Sequence, residues 1–351
     1  MAIYINGTGN ISPQKTIDNA LFLETIEPMA GNHFRCIEPD YKDFIDPILR
    51  RRMSRLVKMG VASAQMCLND ADKKQLDAIV TGTGYGCLED TENFIASVVK
   101  NDEKLLTPTA FIQSTYNTVS GQIALLQKCH QYNFTYVHRG FSFESALLDS
   151  MMLIKDAEAK NILLGGTDEI TSSFFAATNR LGFWKKEKEN LLNSSTKGAF
   201  AGEGSTFFLL SDEKNEKTYA EIKGLTTFYK PSNKLEIKQK IEKLLSDSLL
   251  NLTDIDLVIF GINGDLATDQ IYYQLEKDLF KEKTCAFYKH LCGEYPTSTA
   301  FAMWLANKIL KKQQVPDAIL MQKQATLPIK NILIYNHFLG IDHSAFILSK
   351  C

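Results

Sequence analysis

Apolar residues recur at two different spacings along the chain, and the change from one to the other marks the predicted elements. Residues 134–137 form a short apolar run that predicts a buried strand, and residues 138–140 interrupt it. A helical repeat then places apolar or small residues at Phe143, Ala146, Leu147, Ser150, Met151 and Ile154. A second apolar strand, Asn161 to Leu164, follows and ends at Gly165-Gly166. The segment is therefore predicted to be a strand, a sharp turn, a buried helix and another strand.

The turn before this helix is a favourable place for a reactive anion, but it carries no nucleophile. Free backbone N–H groups and the positive end of a helix dipole stabilise a thiolate or an oxyanion at such a position. Gly140 occupies the turn here. The predicted geometry suits catalysis, while the side chain that would perform it is missing.

One pattern occurs twice in the chain and predicts two related halves. Residues 77–82 and 256–261 each begin with an acidic residue, continue as an apolar strand and end in glycine. Helical patterns at 235–249 and 299–310 fill the second half. The charged segment from Ser211 to Thr218 has the composition of a linker, so we divide the chain into residues 1–212 and 219–351.

Composition narrows the class of protein. A chain of 351 residues with 44% hydrophobic residues can build a large core, and its net charge of -2 argues against nucleic acid or an anionic membrane as the main partner. The chain starts directly with a strand pattern and has no apolar run near the roughly 20 residues of a membrane span. We therefore expect a cytoplasmic protein. Seven cysteines without paired spacing predict neither a disulfide framework nor a zinc site, and no cofactor is predicted.

Short motifs occur in a fixed order between residues 52 and 210. They are Arg52-Met53-Ser54-Arg55, Gly82-Thr83-Gly84-Tyr85-Gly86, Pro108 with Gln113-Ser114-Thr115, Asn117 and Gly121, the turn at Gly140, and Gly198 with Gly202-Glu203-Gly204. Their order resembles that of the β-ketoacyl synthases, condensing enzymes of the thiolase fold. The resemblance implies two pseudo-repeated α/β halves in a layered αβαβα arrangement, with central helices between two sheets and the active site where the halves meet. In that family a reactive cysteine lies a fixed number of residues before a Gly-Gly pair. The same number of residues counted back from Gly165 ends at Gly140.

The resemblance also locates the other chemical positions, and each has changed. Gly261 stands where the family has one histidine, and Glu294, in the run from Lys289, stands where it has the second. A carboxylate beside a forming enolate would repel it. The family's glycine-rich oxyanion loop corresponds to Phe338, Leu339, Gly340 and Ile341, in which bulky side chains replace glycines. No catalytic residue is therefore predicted.

A ketosynthase scaffold without its chemistry resembles the chain length factors, which pair with an active ketosynthase and limit how far the acyl chain grows. The resemblance implies a heterodimer in polyketide, polyene or fatty-acid-like synthesis, with an acyl carrier protein reached through the complex. The segments around the predicted partner contact are unusually aromatic. We expect a role in lining the acyl tunnel or its interface for Phe111, Ile112, Thr115, Tyr116, Asn117 and Phe141. The alternative is that they form an ordinary dimer-interface core.

Two other functions remain open from the sequence. An active acyltransferase, decarboxylase or thioesterase could use Ser142 or Glu294, although Glu144 replaces the glycine that would complete a hydrolase elbow around Ser142. A homodimer that sequesters acyl carriers is the third possibility. The histidines at 138, 290, 337 and 343 are predicted to be structural.

Overall fold

The computed structural model describes residues 1–28, 31–73, 75–187, 189–322 and 325–351. Its strands are β1 (Tyr4–Ile11), β2 (His33–Phe34), β3 (Ala78–Gly82), β4 (Tyr132–Tyr136), β5 (Asn161–Asp168), β6 (Ala201–Gly202), β7 (Gly204–Ser211), β8 (Ala220–Tyr229), β9 (Leu257–Phe260), β10 (Thr284–Phe287), β11 (Asn331–Phe338) and β12 (Asp342–Ser349). Its helices are α1 (Pro47–Arg50), α2 (Arg55–Ala71), α3 (Leu88–Lys100), α4 (Pro108–Gln113), α5 (Thr118–Gln127), α6 (Ser142–Lys155), α7 (Ser172–Arg180), α8 (Lys234–Asp247), α9 (Gln270–Asp278), α10 (Lys289–Cys292) and α11 (Ser298–Lys312).

The large sheet repeats one arrangement of strands. Over the described ranges it contains ten strands in the order β10-β9-β11-β12-β8-β1-β7-β5-β3-β4. In the first half β4, β3 and β5 run parallel, and β7 and β1 continue antiparallel. In the second half β10, β9 and β11 run parallel, and β12 and β8 continue antiparallel. The two segments that share a sequence pattern form the equivalent strands β3 and β9.

The two halves meet at a narrow junction in this sheet. Strands β1 and β8 pair only at Tyr4 with Glu221 and at Ile5 with Ala220. The resemblance implied two sheets, and the structure joins them through these two pairs. The link between β7 and β8 covers residues 212–219, where the sequence predicts the division of the chain, and the two domain ranges stay a prediction.

Helices lie between and outside the two halves of the sheet, as a layered αβαβα fold requires. Helix α11 packs against β5, β7 and β1 of the first half and against β8, β11 and β12 of the second, and α6 packs beside it on β3 and β5. Helices α2 and α5 cover the outer face of the first half, and α8 and α9 cover that of the second. Because both of their faces are covered, β3 and β9 are buried along their whole length.

One strand differs from its prediction. The run at 134–137 predicts a buried strand, but β4 is the last strand of the sheet and its side chains face outward: Tyr132 is 41% exposed and Phe134 is 47% exposed. Local apolarity cannot distinguish a central strand from an edge strand with an uncovered face.

In the described part of the chain, no helix is both long and apolar enough to cross a bilayer.

Candidate functional site

Gly140 lies in the turn that the sequence places before the central helix. A short 3₁₀ turn, Arg139–Phe141, connects β4 to α6, and Gly140 is buried. A Cβ atom on Gly140 would lie less than 3.0 Å from Phe338 Cβ and 3.0 Å from Asp342 Oδ2. Asp342 also accepts a hydrogen bond from the Gly140 N–H. The place of a nucleophile at this helix is thus filled by the β11–β12 hairpin.

The carboxylate of Asp342 is the group that meets the start of α6. Burial raises the pKa of Asp342, and the Gly140 N–H together with the charges of Arg139 and His138 acts in the opposite direction. A helix N-terminus favours an anion. Asp342 therefore occupies the position where a thiolate or an oxyanion would be stabilised.

Gly261 follows β9 and is also surrounded closely. A Cβ atom there would overlap the Asn336 side-chain oxygen and lie 2.8 Å from the Tyr272 hydroxyl. Asn336 Oδ1 accepts a hydrogen bond from the Tyr288 hydroxyl at 3.1 Å, which holds it in place. An imidazole at this position has no volume available.

Glu294 is buried in an ion pair. Its Oε2 atom accepts hydrogen bonds from Lys289 Nζ and from Asn263 Nδ2, both at 2.6 Å. Lys289 Nζ also donates to the His337 carbonyl at 3.3 Å. Both members of the pair are at most 2% exposed. The carboxylate is neutralised within the protein, and a buried pair of this kind is costly to break.

The loop predicted to correspond to the oxyanion loop is a tight hairpin turn. Leu339 and Gly340 both have positive φ, at 55° and 65°, and Ile341 N–H donates to the Phe338 carbonyl at 3.0 Å. The left-handed conformation costs a non-glycine residue roughly 1–2 kcal/mol. Gly340 N–H donates to His337 Nδ1 at 3.3 Å. These two N–H groups have partners inside the hairpin, which leaves neither of them to bind a substrate oxygen.

Ser142 forms only local hydrogen bonds. Its hydroxyl donates to the Arg139 carbonyl and accepts from the His138 N–H, both at 2.8 Å, so it fixes the turn before α6. Glu144, two residues further, is fully buried and accepts a hydrogen bond from Ser344 at 2.9 Å. Burial raises the pKa of Glu144 to about 7. No base contacts the Ser142 hydroxyl among its hydrogen bonds in the described residues.

The buried histidines are held as neutral, packed rings. His337 Nε2 donates to the Thr268 carbonyl at 3.0 Å and the ring stacks on Tyr272, and burial lowers its pKa. His343 Nδ1 lies 2.8 Å from the Tyr335 hydroxyl. Burial lowers the pKa of both His343 and His290 to about 4. These environments favour the uncharged imidazole.

The residues predicted for the partner contact fall into two environments. Phe111, Ile112 and Tyr116 are 50% to 58% exposed, and Thr115 and Asn117 lie with them at the end of α4. Phe141 is 8% exposed, and its ring contacts the His138 ring edge to face. The structure thus brings five of the six to the surface and places Phe141 at the base of α6.

A cavity of about 340 Å³ remains open beside these filled positions. It lies between the two halves, next to Glu294 and the hairpin turn. Its lining residues are Gly84, Tyr85, Arg139, Phe174, Gly182, Phe183, Trp184, Lys197, Gly198, Ala199, Asn263, Asp265, Ala267, Thr268, Glu294, Pro296, Phe338 and Leu339. Over the residues that the structure covers, no cluster of His, Cys, Asp or Glu could hold a metal ion.

Comparison with known proteins supports the expected family. Residues 33–183 match the family model of the β-ketoacyl synthase N-terminal domain. That part of the chain is similar to the β-ketoacyl synthase N-terminal domain, and the chain as a whole has the thiolase-like ketosynthase fold. No curated protein matches it by sequence.

Solved structures with the same fold include complexes of two ketosynthase-type subunits. The ishigamide ketosynthase/chain length factor has 16% identity and a TM-score of 0.79, with 100% of this chain and 99% of that chain covered. The ketosynthase ApeO in complex with its chain length factor ApeC from Xenorhabdus doucetiae has 16% identity and a TM-score of 0.79, with 100% and 98% covered. A β-ketoacyl synthase from Burkholderia phymatum STM815 has 15% identity and a TM-score of 0.82, with 100% and 99% covered. At this identity the likeness establishes the fold.

Several residues of the site could not be found from the sequence. Phe338 had been assigned to a degenerate oxyanion loop, and Asp342 had no predicted role, yet both fill the space at Gly140. They come from the last hairpin of the chain, about 200 positions away, and no local pattern connects them to the turn. Arg139 and Lys197 line the cavity without any motif that marks them.

Proposed function

We propose that this chain is a catalytically silent, chain-length-factor-like subunit that pairs with an active β-ketoacyl synthase and shapes its acyl tunnel. One observation carries the proposal: the space for a catalytic side chain is occupied by neighbouring atoms at both Gly140 and Gly261. A missing functional group can be replaced by another residue nearby. When neighbouring atoms fill the volume around Gly140 and Gly261, neither a catalytic side chain nor the reacting part of a substrate can be placed there.

The electrostatics of the site support silence as well. Decarboxylative condensation develops negative charge on an enolate and on a tetrahedral intermediate, and each needs positive or N–H groups directed at it. The carboxylates of Asp342 and Glu294 lie near two of the degenerate positions instead. His337 and His343 hydrogen-bond to structural partners.

Exposed apolar surface supports the pairing. Strand β4 has a neighbour on one side only, so its outer N–H and C=O groups are available to another chain, and Tyr132 and Phe134 are exposed on it. Helix α4 exposes Phe111 and Ile112. Aromatic residues are enriched at protein interfaces. We propose that α4 and β4 contact the active subunit and that Phe111 and Ile112 limit the length of its tunnel.

The same proposal includes the partner subunit, the acyl carrier protein and the class of pathway. The active subunit would bear the Cys-His-His residues and receive the acyl carrier protein, in polyketide, aryl polyene or fatty-acid-like synthesis. Two of the solved structures with this fold are of a ketosynthase together with a chain length factor, which supports this choice of partner. The cytoplasmic location stays a prediction.

Co-expression with candidate ketosynthases tests the proposal. We expect a stable heterodimer, no covalent adduct on this chain when it is incubated alone with acyl thioesters, and a changed product length for Ile112→Trp in the complex. Leu235→Trp is the control. Leu235 is 58% exposed on α8, which belongs to the second half of the chain, whereas α4 belongs to the first. A chain that forms only homodimers, or an adduct that disappears in Ser142→Ala, would contradict the proposal.

A further inference from the structure

Each acidic group that lines the open cavity has at least one partner within the protein. Asp265 Oδ1 accepts hydrogen bonds from the Gly198 and Ala267 N–H groups at 3.0 and 3.1 Å, and Oδ2 accepts from the Thr268 hydroxyl at 3.1 Å. Glu294 is paired with Lys289 through Oε2, and its Oε1 atom has no hydrogen-bond partner among the described residues. The carboxylates of the lining therefore have partners of their own.

The cationic groups of the lining differ in this respect. Arg139 and Lys197 both border the cavity, and neither takes part in any ion pair found within the described residues. Arg139 influences the carboxyl of Asp342 through its charge without pairing with it. Two positively charged side chains without ion-pair partners in the described residues thus line the cavity. Its carboxylates already have partners, so the charge that the lining can still bind is that of an anion.

The backbone at Arg139 adds an independent observation. Its φ of 49° lies in the left-handed region, which non-glycine residues seldom adopt, and it is the residue next to Gly140 in the turn. Strained residues of this kind concentrate where a side chain must be held in a particular place. The turn therefore directs a guanidinium to the cavity, although it carries no nucleophile.

The remaining walls are mostly apolar and aromatic. Tyr85 and Phe174 contact each other with ring centroids 4.8 Å apart, and Phe183 and Trp184 form an edge-to-face pair at 6.4 Å. Phe183 is 42% exposed, which places an aromatic ring where ligands could enter. Apolar walls with a few convergent polar groups, in a volume of about 340 Å³, are typical of small-molecule sites.

We propose that this cavity binds a free amphipathic carboxylic acid. The carboxylate is held by Arg139 and Lys197, and an aromatic or unsaturated body packs against Phe174, Phe183 and Trp184. The proposal goes beyond pairing with a ketosynthase, since it concerns the isolated chain and a ligand that is not attached to a carrier.

Calorimetric titration of the full-length chain tests it with trans-cinnamate and octanoate as probes. We expect both acids to bind and their primary amides to bind at least 10-fold more weakly, because only the acids carry the charge. The double variant Arg139→Gln/Lys197→Gln should lose at least 10-fold in affinity for the acids. Ala267→Phe, which narrows the cavity without changing charge, should weaken acids and amides alike.

The controls separate this proposal from its competitors. Arg51→Gln/Lys281→Gln removes one arginine and one lysine that are exposed and do not line the cavity, and it should bind as the original chain does. Equal binding of acids by the Arg139→Gln/Lys197→Gln variant would overturn the proposal. Tighter binding of 4′-phosphopantetheine than of either acid, lost in the same variant, would also overturn it by assigning the cations to a phosphate. None of these outcomes depends on whether a ketosynthase pairs with the chain.

Discussion

Two neighbouring regions of the molecule differ in how much of their space is filled by side chains. At Gly140 and Gly261 the space for a side chain is taken by Phe338, Asp342 and Asn336. The cavity beside them, with Arg139 at its edge, remains open and keeps about 340 Å³. Both regions lie at the junction of the two halves, so the difference does not come from the scaffold. One part of this junction is filled by side chains, while the pocket next to it stays open.

Glu294 connects the two regions, because it lines the cavity and belongs to the buried network around Lys289. Removing one member of a buried ion pair leaves an unpaired charge, which costs about 3–5 kcal/mol. We expect Glu294→Ala to lower the free energy of unfolding by about 4 kcal/mol in urea denaturation. The double variant Lys289→Met/Glu294→Gln should recover more than half of that loss, since it leaves no unpaired charge. Equal instability of the single and double variants would show that the pair is not the cause.

Glu144 provides a test of the filled region through pH. Burial raises the pKa of Glu144 from 4.5 to about 7, so the folded state binds the proton more tightly than the unfolded chain does. Stability from this group is greatest below about pH 4.5 and is lost as the pH rises toward 7, by about 3 kcal/mol. In Glu144→Gln this part of the pH dependence should vanish, which the unfolding free energies at pH 5 and pH 8 will measure.

The comparison at the two pH values has a control at the other end of the same helix. Asp156→Asn removes an exposed carboxylate just beyond α6 and should leave the pH dependence of the original chain unchanged. Asp168, Glu169 and Asp269 also have raised pKa values, but they remain in both variants and cancel in the difference. If Glu144→Gln keeps the full slope, the buried carboxyl is already ionised and the packing around α6 differs from this description.

The sequence predicted the elements of this site better than their surroundings. Periodicity located α6 and β5, because a buried helix and strand impose their spacing on the apolar residues themselves. The edge position of β4 was missed, since it depends on which strands are its neighbours. The filling of Gly140 was missed for a similar reason: it depends on a hairpin far along the chain. The glycines at 140 and 261 predicted where catalytic side chains are missing, and only three-dimensional packing shows which atoms surround these positions.

The smallest expected effects come from adding atoms at the glycines themselves, and they distinguish an empty site from a filled one. Gly140→Ala should cost about 2 kcal/mol, because its Cβ would overlap Phe338 and overpacking of a core costs about 1–3 kcal/mol. Gly121→Ala in α5 is the control: nothing lies within 4 Å of its Cβ, and a helical alanine should add about 0.5–1 kcal/mol. The triple variant Gly140→Cys/Gly261→His/Glu294→His should restore little condensing activity, because Phe338 and Asn336 occupy the space that the new side chains require. Thermal unfolding measures the first two variants and a condensation assay the third. A stable Gly140→Ala variant, or efficient condensation by the triple variant, would mean that the hairpin yields easily and that the centre is vacant instead of closed.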